Sequence, residues 1–140
     1  MNDLQENIDE GKPEFSFHKN ERLCSKKVID KLFAEGQSVF VYPVKIVYLE
    51  IPLPVKNCVQ AAFTVGKRNF KRAVKRNLIK RRMREAYRLN KQQLYDEVVE
   101  KQIAVFFIFT GKEISEYKQI EAAVKKGIKK LATEISGSNL

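Results

Sequence analysis

The sequence predicts an α+β fold, a two-layer α/β sandwich in which helices pack against one small sheet. Residues 103–109 form an unbroken apolar run, which is typical of a central strand buried on both faces. Two stretches rich in β-branched and aromatic residues precede this run, and three amphipathic stretches at helical spacing alternate with the strands. The predicted order is helix, two or three strands, helix, strand, helix.

The chain has 140 residues, a length that predicts a single domain over 15–140 behind an N-terminal tail, 1–14. Four acidic residues and one lysine occupy the first thirteen positions of this tail. Such a composition predicts a disordered, solubilising leader. Shielding of a basic surface from wrong partners is the alternative role.

The first predicted helix covers about 25–35. Its apolar residues recur at helical spacing: Val28, Ile29, Leu32 and Phe33. Ser25 is the expected N-cap, because its hydroxyl can accept a hydrogen bond from a backbone amide of the first turn. Gly36 is the expected stop at the C-terminal end.

The strands follow this helix. Residues 39–51 predict one strand or two, with Pro43 at an edge, a bend or a strand start. Residues 58–65 predict the next strand, expected to pair antiparallel with the first across a short connection. After a basic helix and the central strand, a last amphipathic helix is expected at about 115–135.

Excess positive charge is concentrated in residues 67–91, where twelve of twenty-five residues are Lys or Arg and only Glu85 is acidic. This segment has a net charge of +11, whereas the whole chain has +10, so the remainder is nearly neutral. Positive charge gathered in this way is typical of a protein that binds a polyanion, nucleic acid above all.

The basic segment predicts a helix over about 70–90 with two distinct faces. At 100° per residue, four residues share the face expected to enter the core: Ile79, Met83, Ala86 and Tyr87. Five cations follow one another at intervals of four residues and form a ridge: Arg72, Arg76, Lys80, Arg84 and Arg88. Asn77 and Arg81 lie beside this ridge.

Phosphate is the expected ligand of the ridge, because Arg makes bidentate contacts with phosphate oxygens and Lys is a compact point charge. Asn77 can both donate and accept, which suits a ribose hydroxyl, a base edge or a hydrated metal ion, or it is a plain surface residue. The chain shows no helix-turn-helix or zinc-finger spacing. The pattern therefore favours recognition of a folded RNA by shape.

Other classes of function are disfavoured. A protein-only nuclease needs clustered carboxylates, whereas Glu85 stands alone in the basic segment and is expected to pair with Arg81 or Arg88. Cys24 and Cys58 match no zinc or redox spacing, which predicts reduced thiols and a cytoplasmic protein. No apolar stretch reaches the length of a membrane span, and the apolar face of the basic helix is too narrow for membrane binding.

Two stretches carry a resemblance to a known family. FTVGKRNFKRAVKRNLIKRRMREAYRLNK (63–91) closely resembles the signature of the bacterial ribonuclease P protein component, and RLCSKKVIDKLFAEGQSVF (22–40) resembles that family's first helix and Gly turn. The likeness extends over about 15–135. It implies an α-β-β-β-α-β-α fold, similar to the second domain of ribosomal protein S5, with a left-handed βαβ crossover through the basic helix.

The resemblance also implies a function. The protein would bind the catalytic RNA subunit of ribonuclease P and the 5′ leader of precursor tRNA, and would assist removal of that leader. The active site and its Mg²⁺ would lie on the RNA, so no catalytic residue and no metal site on the protein alone are expected, nor an obligate protein partner. The alternative is an RNA-binding protein of the ribosome or of ribosome assembly.

The family's RNA-binding residues carry over position by position. The implied contacts are Lys67, Arg68, Arg72, Arg76, Asn77, Lys80, Arg81, Arg84 and Arg88. The family's Arg-Asn-Arg core falls on Arg76, Asn77 and Leu78, so the third residue departs from the pattern. Lys80, Arg81, Arg82 and Arg84 are the neighbouring cations that could replace the lost contact.

The family also implies a groove for the single-stranded leader between the first helix and the sheet. Its positions here are Ile29, Phe33, Phe40, Tyr42 and Lys45. Aromatic rings next to a cation suit stacking on an unpaired strand. Phe33 has core packing as an equal alternative. Phe17 and His18 precede the helix, where base stacking is the bolder reading and, for His18, a solvated surface position the favoured one.

Overall fold

A computed structural model describes residues 17, 19–53, 59–98 and 101–137. A short 3-10 turn, Lys19–Glu21, leads into eight helices and strands. In chain order they are α1 (Lys26–Glu35), β1 (Gln37–Val41), β2 (Val44–Glu50), β3 (Val59–Val65), α2 (Ala73–Asn90), α3 (Gln92–Glu97), β4 (Ile103–Phe109) and α4 (Tyr117–Gly137). The predicted α+β order is confirmed, with α3 added; the tail 1–14, His18 and Cys58 lie outside the described residues.

The four strands form one sheet in the order β1-β2-β4-β3. β4 pairs antiparallel with β2 and parallel with β3, so the expected antiparallel pairing of 58–65 with the first strands is wrong. The reason is that the most apolar strand takes the place between its neighbours, and neighbours in sequence are not always neighbours in a sheet. The connection β3-α2-β4 joins adjacent parallel strands, as the resemblance implies, while its left-handedness stays a prediction.

The segment 39–51 forms two strands. β1 and β2 pair antiparallel from Gln37↔Tyr48 to Val41↔Val44, and Tyr42 and Pro43 make the turn between them. This resolves the expectation of one strand or two. Pro43 lies in the hairpin turn, where the missing N–H leaves no ladder hydrogen bond unmade.

Both predicted ends of α1 are confirmed. The Val28 amide donates to Ser25 Oγ at 3.3 Å, and the Gly36 amide donates to the Leu32 carbonyl at 2.8 Å. Gly36 has a φ of −73°, which any residue can adopt. Glycine is required for space instead, because a Cβ here would lie 2.4 Å from the Leu32 carbonyl oxygen and 2.9 Å from that of Tyr48.

The basic helix begins later than the sequence predicts. α2 starts at Ala73, and Phe70 is buried in the preceding loop, where its ring lies 5.9 Å from that of Phe109. α3 was not predicted, since six residues are too few for a helical period to be recognised. Its anchor is Leu94, which is completely buried.

The two faces of the sheet are covered to different extents. α2 and α4 pack on one face over the main core, which includes Ile46, Val105, Phe107 and Ile128. On the opposite face, the apolar cluster around Leu32, Val47 and Ala104 lies beneath α1. Within the described part of the chain, no helix is long and apolar enough to cross a membrane.

Incomplete cover on the α1 face corrects one expectation. Strand 103–109 was expected to be buried on both faces. Its odd-numbered residues are buried beneath α2 and α4, but Phe106 and Ile108 on the other face remain partly exposed. An apolar run identifies a central strand without showing whether both of its faces are covered, because α1 spans only part of the sheet.

Candidate nucleic-acid interface

α2 separates its apolar and basic residues in the way that its sequence predicts. Ile79, Met83, Ala86 and Tyr87 are all completely buried. Tyr87 packs among aromatic rings, with its centroid 5.3 Å from that of Phe107. Burial of this stripe fixes the rotation of the helix, so the opposite face presents its cations to solvent.

The predicted RNA-binding residues divide by exposure. Six are exposed, two in the loop after β3 and four on α2 or at its N-cap: Lys67, Arg68, Arg72, Asn77, Arg81 and Arg84. Three are partly buried: Arg76, Lys80 and Arg88. The structure therefore brings all nine to one continuous stretch of surface, although their side chains are not equally available.

Arg76 is engaged within the protein. Its Nη1 donates to the carbonyl oxygens of Phe70 and Lys71, each at 2.7 Å. These are the last turns of chain before α2, so Arg76 ties the basic loop to the helix. The described contacts give Arg76 a positioning role, and its direct contact with RNA stays a prediction.

Replacing Arg76 with alanine is therefore expected to act mainly on stability. Loss of two charge-assisted hydrogen bonds should lower the free energy of unfolding by about 1–3 kcal/mol, measured by urea denaturation. Lys80→Ala serves as the matched control, since it should flatten the salt dependence of RNA binding by about one unit. A full unit of flattening in Arg76→Ala would instead place its guanidinium on a phosphate.

Glu85 is paired with Arg88, one of the two partners expected. Arg88 Nη2 lies 2.5 Å from Glu85 Oε2, and Nε donates to Oε1 at 3.2 Å. This hydrogen bonding lowers the pKa of the Glu85 carboxyl. The carboxylate therefore stays charged through the neutral range and offsets part of the cationic end of the ridge.

Two further cations of the basic segment are withdrawn from solvent contacts. Arg82 Nη1 donates to the Ser115 carbonyl at 2.6 Å and holds the segment that precedes α4. Lys91 is buried at 2% exposure in an ion pair with Glu21. Sequence analysis counted both toward one electrostatic surface, and no sequence signal distinguishes them from their exposed neighbours.

Leu78, where the family pattern has an arginine, is partly exposed on α2. Val74, one turn earlier, is 79% exposed. The two side chains therefore form a short apolar strip beside the ridge. A cation is absent from that strip, and Arg82 is already bonded to Ser115, so of the proposed replacements Lys80, Arg81 and Arg84 remain.

The predicted groove residues converge on the α1 face of the sheet. Phe33 is 51% exposed, and its ring centroid lies 5.0 Å from that of Phe106 on β4. The core alternative for Phe33 is therefore wrong. Ile29, also on α1, is partly buried against the small cluster beneath that helix.

The other wall of the groove is the β1–β2 hairpin. Phe40 and Lys45 are directly opposite each other in the ladder and both are exposed. Tyr42 in the turn is 66% exposed, with its ring centroid 6.4 Å from that of Phe40. Two exposed rings beside an ammonium group suit an unpaired nucleotide strand.

Two groove residues were missed. Phe106 and Ile108 form the floor between α1 and the hairpin, and Ile108 is the ladder partner of Lys45. Their alternation with buried residues along β4 could have identified them, but only after the pairing of β2 with β4 was known.

Phe17 packs against the protein. Its ring makes edge contacts with Phe63 and Tyr87, each at a centroid distance of 5.8 Å, and the Arg22 guanidinium lies 5.6 Å from its centroid. These contacts anchor the N-terminal segment on β3 and α2. Its role in base stacking stays a prediction.

Comparison with known proteins identifies relatives over most of the chain. The sequence model of the Ribonuclease P family matches residues 17–132. The Ribonuclease P protein component of Porphyromonas gingivalis is 36% identical over 130 residues, covering 91% of this chain and 95% of the relative. That of Chlorobium phaeobacteroides is 35% identical over 123 residues, covering 79% and 84% respectively.

Solved structures share the fold. The Staphylococcus aureus RNase P protein superposes with a TM-score of 0.65 at 18% identity, covering 81% of this chain and 96% of that one. The RNase P protein of Thermotoga maritima gives a TM-score of 0.63 at 20% identity, covering 79% and 96%. The structural likeness confirms the predicted fold class.

Proposed function

This chain belongs to the ribonuclease P protein family, and on that premise we propose that its two surfaces divide the RNA between them. It is the protein subunit of ribonuclease P, the endoribonuclease that processes the 5′ end of tRNA. The basic face of α2 binds the catalytic RNA. The groove between α1 and the β1–β2 hairpin binds the 5′ leader of precursor tRNA.

The single observation that carries this proposal is the two-sided character of α2. Its apolar stripe is completely buried, so its cations cannot turn inward, and Glu85 neutralises only Arg88 among the cations of the ridge. Like charges this close repel one another. Phosphates of a folded RNA would neutralise them and release counterions, which supplies a large part of the binding free energy.

Groove binding is supported by different chemistry. Phe33, Phe40 and Tyr42 are large apolar side chains left at least half exposed. Bases stack on such rings whatever their sequence, which fits leaders that differ from one tRNA to another. Lys45 provides a cation for the backbone of the same strand.

Catalysis is assigned to the RNA, with Mg²⁺ as its cofactor. Within 17, 19–53, 59–98 and 101–137, no three His, Cys, Asp or Glu side chains come together in a way that could hold a metal ion. On the protein side, the exposed cations would bind and orient the RNA. A cytoplasmic location, where precursor tRNA would be met, completes the proposal.

Reconstitution tests the proposal. Purified protein alone is expected to leave precursor tRNA uncut, and addition of the ribonuclease P RNA with Mg²⁺ should restore cleavage at physiological salt. Neutralisation of about six phosphates predicts that log K for the RNA falls with log[salt] at a slope of roughly −4 to −5. Cleavage by RNA-free protein, or equal binding to ribosomal RNA, would contradict the proposed division of roles.

A further inference from the structure

A second basic cavity lies along the outer edge of β3, apart from the groove beneath α1. It has a volume of about 340 Å³. Its walls come from the N-terminal segment, β3 and α2, and its main lining residues are Phe17, Arg22, Ala62, Phe63, Lys80 and Arg84. A volume of this size can hold a small ligand of nucleotide dimensions.

The wall that carries Arg22 is held in place by backbone pairing. Arg22 forms a parallel bridge with Ala61, and the Leu23 amide donates to the Ala61 carbonyl at 2.9 Å. Gln60 Nε2 also donates to the Asn20 carbonyl at 3.0 Å. The N-terminal segment therefore extends the sheet beyond β3 and fixes the position of the Arg22 side chain.

Three cations from two elements meet at this cavity. Lys80 and Arg84 lie one helical turn apart on α2, about 6 Å along its axis. Arg22 faces them from the N-terminal segment, with its guanidinium over the Phe17 ring. Among the described residues that line the cavity there is no carboxylate, so the cluster has no internal counter-ion.

The cavity also connects the two surfaces already assigned to RNA. Lys80 and Arg84 belong to the ridge of α2, whereas the Ala62 side chain packs against the small cluster on the α1 face. A strand that passes from the ridge to the α1 face around the edge of β3 would cross this cavity.

We propose that this cavity is a nucleotide-binding site, in which Arg22, Lys80 and Arg84 hold one phosphodiester of an RNA strand. The aromatic floor of Phe17 and Phe63 supports the adjoining sugar and base. Arg22 is thereby a binding residue outside the basic segment, and the site joins the ridge to the α1 face. This inference rests on the proposed function, since it requires an RNA ligand.

The phosphodiester could come from the catalytic RNA or from the leader of precursor tRNA, and two binding assays distinguish them. The first measures the affinity of the protein for ribonuclease P RNA over a range of salt concentrations. The second measures the affinity of the reconstituted enzyme for precursor tRNAs with leaders of one and of ten nucleotides. Each assay compares the unaltered protein with Arg22→Ala, Lys80→Ala and the double variant.

Each single variant is expected to weaken binding about 5- to 30-fold in one of the two assays, with the salt slope flattened by about one unit. Because both side chains would hold the same phosphate, the double variant should lose much less than the product of the single losses. Lys129→Ala is the matched control, since this exposed lysine on α4 is remote from the cavity lining and should leave both affinities unchanged.

The outcomes separate the site from the function. Loss in the first assay alone assigns the phosphate to the catalytic RNA, and loss only with the long leader assigns it to the leader. If the unaltered protein binds RNA but Arg22→Ala binds equally, or if the losses of the two variants multiply, the shared site is excluded. If the unaltered protein fails to bind RNA, the proposed function itself is wrong.

Folding of the variants is controlled separately, because Arg22 also contacts Phe17. Arg22→Lys keeps a cation at this position and should recover most of the lost affinity. Lys80→Ala carries the test by itself if thermal unfolding shows that Arg22→Ala is not folded. Wild-type affinity in a folded Lys80→Ala protein would overturn the proposal.

Discussion

Replacing Lys91 with methionine is expected to lower the free energy of unfolding by about 3–5 kcal/mol, the usual cost of leaving one partner of a buried ion pair uncompensated. The Lys91 ammonium group is bonded to Glu21 Oε1, and the two side chains are only 2% and 6% exposed. Without Lys91, the Glu21 carboxylate would stay buried beside an apolar side chain. Urea denaturation followed by circular dichroism measures the change.

Two further variants separate the charge from the packing. Lys129→Met makes the same chemical change at an exposed position and should alter stability by less than about 0.5 kcal/mol. Combining Lys91→Met with Glu21→Gln removes both charges and should recover part of the loss. A Lys91→Met protein as stable as the unaltered chain would show that this pair is not needed for folding.

The surroundings of Glu21 explain why this pair matters for the RNA surface. Tyr95 also donates its hydroxyl to Glu21 Oε1 at 2.6 Å, and burial, with the neighbouring Tyr87 and Glu21, raises the pKa of Tyr95, so the hydroxyl keeps its proton. Glu21 immediately precedes Arg22. The pair therefore joins the end of α2 to the segment that carries Arg22 into the cavity beside β3.

Replacing Phe33 or Phe40 with alanine is expected to weaken binding of precursor tRNA by the reconstituted enzyme about 5- to 150-fold. This range corresponds to about 1–3 kcal/mol for each base stacked on an aromatic ring. Both side chains are more than half exposed, so stability should change little. Binding is measured with a leader long enough to cross the groove.

The matched controls vary the ligand and the side chain in turn. A precursor with a one-nucleotide leader should bind both variants as well as it binds the unaltered enzyme. Phe33→Leu keeps an apolar contact with Phe106 but cannot stack, so it should behave like Phe33→Ala. Equal losses with the short and the long leader would indicate a general disturbance of the α1 face in place of lost stacking.

Local features of the fold followed from the sequence. Ser25 and Gly36 marked the ends of α1, and the apolar period of the basic segment identified all four residues of its buried stripe. These features depend on groups within about one or two helical turns of one another, which the order of residues determines directly. The resemblance to a family then supplied the implied function.

Strand pairing could not be read in the same way. The alternation of β2, β3 and β4 indicates which residues share a face, but not which strand lies beside which. The 58–65 segment was therefore placed next to the wrong partner. Consequently the floor of the groove, Phe106 and Ile108, was overlooked, because these residues meet Lys45 only through the β2–β4 pairing.

The sequence by itself determined that this protein carries a helix with one apolar and one cationic face, since helical geometry turns residue spacing into direction. Only the tertiary structure decided which cations remain available. Arg76, Arg82 and Lys91 are bonded to groups far from them on the helix or elsewhere in the chain, whereas Arg22 is brought to the ridge from outside the basic segment. Contacts between residues distant in sequence depend on how the sheet, the helices and the N-terminal segment pack together, and identical side chains acquire different roles from that packing.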